Sequence, residues 1–157
     1  MSLDPRRKAR ERAVQALYQL DGAELRQRTG EPLRSALRAF WASFDPPEPE
    51  VQALAEPLIQ GVLDHLDELD RAVEEASLHW RLPRMARVDR NILRLGAYEL
   101  RYRPDVPTKV CLNEAIEIAR KYGAEESGAF INGILDRLAQ SARGSQPAEP
   151  GSLDDEG

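Results

Sequence analysis

One cysteine, two histidines and 6% aromatic residues leave this 157-residue chain short of the usual materials of catalytic and metal sites. The single Cys111 excludes an intrachain disulfide and suits a reducing compartment. His65 and His79 stand beside no cysteine or carboxylate array with zinc spacing. Between Gly123 and Gly133 there is a further glycine, Gly128, but no lysine of a phosphate-binding loop. No nucleophile elbow is present. No apolar run approaches the ~18 residues of a membrane helix. The basic amino terminus also lacks the apolar stretch of a secretory signal. These absences predict a cytoplasmic protein that is not an enzyme, needs no metal or other cofactor and makes no use of a membrane.

What is abundant is charge, at 31% of residues, on a background rich in Leu, Ala, Arg and Glu that favours helix. The length suffices for one domain with a real core. The net charge of −5 conceals an asymmetry. Residues 5–12 hold Arg6, Arg7, Lys8, Arg10 and Arg12 against Glu11 alone, whereas residues 149–157 hold Glu149, Asp154, Asp155 and Glu156 and no cation. Screening over about 8–10 Å lets such a basic head bind a polyanion although the whole chain is acidic. The acidic segment follows Arg143-Gly144-Ser145, is rich in Pro and Gly, and reads as a disordered tail. The expected organisation is an all-α domain over residues 1–142 and a disordered tail over 143–157.

Alternation with period two is absent, so no strand is expected; the apolar residues recur at helical spacing instead. Asp4-Pro5 reads as N-cap and first helical residue of a helix to about Asp21-Gly22, buried through Ala9, Ala13, Ala16, Leu17 and Leu20. Arg6, Arg7, Lys8, Arg10 and Arg12 are expected on its exposed arc, with Tyr18 at the margin of the buried stripe. The helicity of Gly22–Gly30 is undecided. A helix from Pro32 carries Leu33, Leu37 and Phe40-Trp41 and stops before Pro46-Pro47. The next starts near Glu48–Glu50, with a kink or late start expected at Pro57, and Gly61 either allows close packing or divides the run. After His79-Trp80-Arg81-Leu82-Pro83, a helix from about Arg84 to Leu100 sets Val88, Ile92, Leu93, Leu95 and Leu100 against a polar side of Arg87, Arg90, Asn91, Arg94 and Arg101.

Pro107–Leu138 then reads as an antiparallel helical pair joined at Gly123. Leu112, Ala115, Ile116, Ala119 and Tyr122 share one face, and Phe130, Ile131, Ile134, Leu135 and Leu138 form the second stripe. Gly123 is expected to end the first helix in the left-handed conformation, with the second restarting near Glu125. The sum is a compact all-α domain of six or seven helices.

Asp64, Asp67 and Asp70, three residues apart, read as a solvated helix face rather than a metal or acid–base site. Glu114 and Glu117 read as a capping or surface pair, and Cys111 as packing. The positive signal is the first helix, whose arginines suit bidentate phosphate contacts and base stacking. Tyr18, Tyr122 and Phe130 are candidate stacking aromatics if exposed, although periodicity alone places Phe130 in the core. A second reading is a helical protein–protein adaptor whose basic helix contacts an acidic partner.

Several segments resemble the NusB family of transcription antitermination factors. They are Arg6-Arg7-Lys8-Ala9-Arg10-Glu11 with Ala13-Val14-Gln15-Ala16-Leu17-Tyr18; Arg94-Leu95-Gly96-Ala97-Tyr98-Glu99-Leu100; Val106-Pro107-Thr108-Lys109-Val110; Asn113-Glu114-Ala115-Ile116-Glu117 with Ala119 and Arg120-Lys121-Tyr122-Gly123; and Phe130-Ile131-Asn132-Gly133-Ile134-Leu135-Asp136. The resemblance implies two packed helical bundles. It implies binding of single-stranded boxA-type RNA in nascent ribosomal RNA, together with ribosomal protein NusE, within the RNA polymerase antitermination complex. Carried over by position, Arg6, Arg7, Lys8, Arg10, Tyr122 and Phe130 would face RNA, and Tyr18, Asp89 and Glu126 the partner protein. Asp89 and Glu126 each exchange one acidic residue for the other relative to the family pattern, which keeps charge and alters reach. Family members include homodimers, whose interface would cover the RNA surface. On this reading Arg7→Ala and Arg10→Ala weaken RNA binding and leave the fold intact.

Overall fold

The structure, a computed structural model, describes residues 4–21, 25, 30–78 and 80–144. Among them are seven α-helices and no strand: α1 Pro5–Leu20, α2 Gly30–Ala42, α3 Pro49–Asp64, α4 Leu66–Ser77, α5 Arg87–Tyr102, α6 Thr108–Tyr122 and α7 Ser127–Arg143. A short 3₁₀ turn, Leu82–Arg84, leads into α5. No helix is long and apolar enough to cross a membrane among the described residues. Of the tail expected over 143–157, Arg143 instead ends α7, and the part from Ser145 onward, like most of the undecided Gly22–Gly30 link, lies outside those residues; of that link, Leu25 is buried.

The amino-terminal helix forms where expected. Asp4 caps it by accepting the Arg6 backbone N–H at 2.9 Å, and Pro5 occupies the first turn, where its missing donor is not needed. Ala9, Ala13 and Ala16 are buried, and such small side chains let α3 lie close along α1. Phe40 and Trp41 of α2 and Phe44 just after it stack edge-on and tilted at centroid distances of 4.9 to 6.0 Å. The first three helices thus form one bundle and α4–α7 another, with α5 packed against members of both.

Three local expectations fail for identifiable reasons. Helix α3 begins at Pro49 and continues through Pro57 without interruption, because Pro57 lies on an exposed face where water can serve the freed carbonyl. The run divides instead at His65, which ends α3 and starts α4. Gly61 serves close packing: a Cβ there would fall inside the Tyr98 ring. Gly123 is extended (φ −93°, ψ −175°) and not left-handed; its role is steric, since a Cβ would meet the Ser127 hydroxyl oxygen at 2.7 Å and the Ala119 carbonyl at 2.9 Å. Helix α7 restarts at Ser127, two residues later than expected.

The buried face of α6 is also rotated from the expected one. Cys111, Ala115, Ile118 and Ala119 are buried, whereas Leu112 and Ile116 are half-buried and Tyr122 is exposed. Two neighbours, α5 and α7, cover this helix, so its stripe faces the groove between them. In α7, Ile131, Ile134, Leu135 and Leu138 are buried as expected and Phe130 only partly so.

The polar side of α5 is where the sequence misleads most. Asn91 is 0% exposed and Arg94 5%. Arg94 donates to both carboxylate oxygens of Asp70 (2.8 and 3.1 Å) and to Asp21 (3.1 Å). Asp21 also accepts from Arg90 (2.7 and 3.1 Å) and Asn91 (2.9 Å). Asp70 is therefore buried and paired, which corrects its placement on a solvated face; Asp64 and Asp67 are exposed. At the other end of α5, Arg143 donates to the carbonyls of Glu99, Leu100, Arg103 and Val106 at 2.9 to 3.2 Å. A guanidinium there satisfies carbonyls that a helix end leaves open. Arg143 is thus an integral part of the helical domain.

Removing one partner of a buried pair strands the other charge. Arg94→Leu is expected to cost about 3–5 kcal/mol, read as a lower urea midpoint. Burial pushes the Asp21 carboxyl up, but hydrogen bonds from Arg90 and Asn91 and the charge of Arg94 hold it below its ordinary 3.8. Its folded pKa being depressed, its contribution is complete above the unfolded value and fades as pH falls through the folded one. Acid titration of the urea midpoint below about pH 4 should therefore show a loss that Asp21→Asn reduces.

Candidate nucleic-acid interface

The cations of α1 are not equivalent. Arg6 is exposed and Lys8 half-buried, and neither enters an ion pair with a described residue. Arg7 reaches across to α6, where its Nε donates to both Glu114 carboxylate oxygens at 3.1 and 3.3 Å and its Nη2 donates at 2.9 Å. That hydrogen bonding raises the already high Arg7 pKa. Arg12 donates to Glu48 at 2.7 and 2.8 Å, and its guanidinium lies 4.0 Å from the Phe44 ring centroid. Arg10 is 9% exposed and gives both Nε contacts to Glu99, itself 3% exposed, at 3.0 and 3.1 Å. Its expected place on the exposed arc is corrected: α5 covers the side of α1 between Ala9 and Ala13 that carries Arg10.

Farther along α1 the pairing reverses sign. Glu11 accepts from Lys121 (3.1 and 3.3 Å) and from the Tyr122 hydroxyl (3.2 Å), and Gln15 donates to the same hydroxyl at 3.4 Å. The pairs Arg7–Glu114, Glu11–Lys121 and Gln15–Tyr122 show that α1 and α6 run in the same direction, joined along their length. Burial and the nearby Glu11 charge push the Tyr122 phenol up, so it stays a neutral donor.

The far end of the pair collects aromatics. Tyr18 is exposed, and the Arg87 guanidinium lies 5.2 Å from its ring centroid. With Val14, Phe40, Phe44, Val88 and Tyr122 it lines a cleft of about 640 Å³. Phe130 is half-buried and meets Trp80 edge-on. Glu126 is exposed at the start of α7. Asp89, which the resemblance puts at the partner surface, is buried in the first turn of α5. Burial pushes its carboxyl up, the Ser127 hydroxyl bond opposes that shift, and the Glu126 charge adds to it. One of its oxygens, Oδ1, has no hydrogen-bond partner.

Sequence reasoning named the cations and missed their acidic partners Glu99, Glu114 and Glu11. Spacing along a helix reports i, i+3 and i+4 neighbours, not a carboxylate 107 residues away. Cys111 is buried and pushed up to about 12, first by burial and then by Glu99, so its thiol is inert near neutrality. No group of three or more His, Cys, Asp or Glu is placed to hold a metal ion among the described residues.

The geometry defines an all-α module with a cationic leading end and an aromatic trailing end on one helix pair. Comparison with known proteins identifies its kind. The NusB family model matches residues 7–140. The transcription antitermination protein NusB of Anaeromyxobacter dehalogenans (strain 2CP-1) is 53% identical over 146 residues, covering 93% of this chain and 96% of that protein. The solved structure of T. maritima NusB superposes with a TM-score of 0.73 at 36% identity, covering 89% of this chain and 93% of that one. A crystal structure of antitermination factors NusB and NusE in complex with dsRNA shares the fold at a TM-score of 0.70 and 24% identity, covering 89% of this chain and 99% of that one. The chain belongs to the NusB family, and is a transcription antitermination factor.

Because Arg10 neutralises buried Glu99, Arg10→Ala is expected to destabilise the domain by about 3 kcal/mol. Arg6→Ala should change stability by less than about 0.5 kcal/mol. Urea melts of the two variants separate these outcomes, and equal midpoints would contradict the assignment.

Proposed function

We propose that this protein binds boxA-type single-stranded RNA in nascent ribosomal RNA transcripts together with ribosomal protein NusE, and so supports processive transcription within the RNA polymerase antitermination complex. The observation that carries the reading is the cation set on the first turns of α1, continuous along the α1–α6 pair with exposed Tyr122. The family relationship and the fold shared with a NusB–NusE–dsRNA complex support it. Arg6, Arg7 and Lys8 take phosphates, and Tyr122 and Phe130 offer rings to bases. Arg10 acts from inside, fixing the angle of α1 through Glu99. Tyr18 and Glu126 meet the protein partner, with Asp89 beneath them setting the start of α7 through Ser127. The protein acts in the cytoplasm without cofactor or catalysis. A second copy docked over the same helix pair would compete with RNA.

Glu114 competes with phosphate for Arg7. Engaging ~3–4 phosphates of a single strand gives a log–log salt slope of about −2 to −3. With NusE present, Arg6→Ala combined with Lys8→Ala should flatten that slope by about one and weaken binding. Glu114→Gln should tighten binding about threefold by releasing Arg7 from an ion pair worth up to about 1 kcal/mol. Fluorescence anisotropy with boxA and scrambled RNA, using protein that retains Arg143, measures all three. Tight NusE binding with no RNA binding in any arm would replace this reading with that of a protein–protein adaptor.

A further inference from the structure

Trp80 is 52% exposed, yet it is not loosely held. The Ser77 hydroxyl donates to the Trp80 carbonyl at 2.6 Å, and the Leu82 N–H donates to Glu74 at 2.8 Å. From α7, Arg137 donates to the Ala76 carbonyl at 2.6 Å, fastening the end of α4. The chain turns out of α4 at Leu78 with φ +67°, a left-handed conformation that a leucine adopts only under constraint. Three hydrogen bonds and one strained residue therefore fix the backbone that carries the exposed indole.

The surroundings say what kind of ligand suits it. Arg81 and Arg84 follow Trp80 in the chain, are exposed, and form no ion pair with a described residue. The Trp80 and Phe130 rings meet edge to face, with centroids 6.3 Å apart and planes at 85°, so they present planes at nearly a right angle to one another. A planar ligand with an anionic backbone matches an exposed aromatic ring followed in the chain by two unpaired guanidiniums; a protein partner would need the arginines neutralised by acidic side chains.

We propose that Trp80 stacks an unpaired base of the bound RNA while Arg81 and Arg84 take the adjacent phosphates, which extends the RNA path from α6–α7 onto the connection between α4 and α5. This rests on the RNA-binding reading above. A strand that reaches Phe130 reaches Trp80 as well, because the two rings are in contact. The stack supplies affinity without sequence preference, since every base has a π face.

The full chain tests this with NusE and a fluorescein-labelled boxA RNA at fixed salt. Trp80→Ala should weaken RNA binding about tenfold, within the range lost with one base–aromatic stack, and Trp80→Phe should stay within about threefold of the parent. Circular dichroism melts of both variants check the fold. The parent also reports directly: Trp41 is buried, so acrylamide quenches chiefly Trp80, and saturating RNA should protect it. Parent-like affinity in Trp80→Ala, with no protection by RNA, would overturn the inference and leave RNA binding standing. Protection by NusE alone, or a change of oligomeric state in Trp80→Ala seen by sedimentation, would reassign Trp80 to a protein contact. A parent that binds no RNA would remove both readings.

Discussion

Arg94 lies in the middle of α5 with its guanidinium shared between Asp21, which follows α1, and Asp70, on α4. The burial of these groups makes the arrangement obligatory. A lone buried charge is costly, and each member is tolerated only because the others are in place. Arg90 and Asn91 complete the set around Asp21. The network ties the end of the first bundle to two helices of the second, and it does so with directional bonds that apolar packing cannot supply. Arg10–Glu99 repeats the device nearer the other end of α5, and Arg143 closes that helix by taking its last carbonyls. Alternative packings of these stripes would leave buried ions unpaired.

The candidate surface inherits its order from that constraint. Because Arg10 is spent on Glu99, α1 is held against α5 at a defined angle, and Arg6, Arg7 and Lys8 project beyond the point of attachment. The α1–α6 ladder then aligns two elements of the same polarity, so that cations gather at one end and aromatics at the other. Arg7 holds a carboxylate in the absence of ligand, and its bonds to Glu114 keep it extended toward α6.

Much of the fold could be read in advance. Proline and glycine positions marked most connections, and the Asp4-Pro5 start, the α2 aromatics and the α7 stripe are local features that a 3.6-residue period reports faithfully. The candidate site was legible by composition in Arg6, Arg7 and Lys8 and by family resemblance in Tyr122 and Phe130. Arg10 was misplaced because a residue on the margin of an amphipathic stripe goes in or out according to its neighbour, and that neighbour, Glu99, is far away in sequence. Asp70 failed for the same reason: an aspartate beside other acidic residues looks solvated until an arginine from another helix meets it. Pro57 failed in the opposite sense, since an exposed helix face tolerates a lost donor that a buried one does not.

The amino-acid sequence by itself determined an all-helical chain, the ends of most helices, the basic head and the family. These follow from short-range physics, namely capping, backbone restriction and periodic burial, and from motifs read in order. Tertiary structure alone decided which charges stay open and which are paired: Arg6 and Lys8 without an ion pair to a described residue, Arg7 paired at the surface, Arg10 and Arg94 paired and buried. It also decided that Trp80 faces outward. Those outcomes depend on which groups from distant segments share one low-dielectric volume, and no window along the chain contains that information.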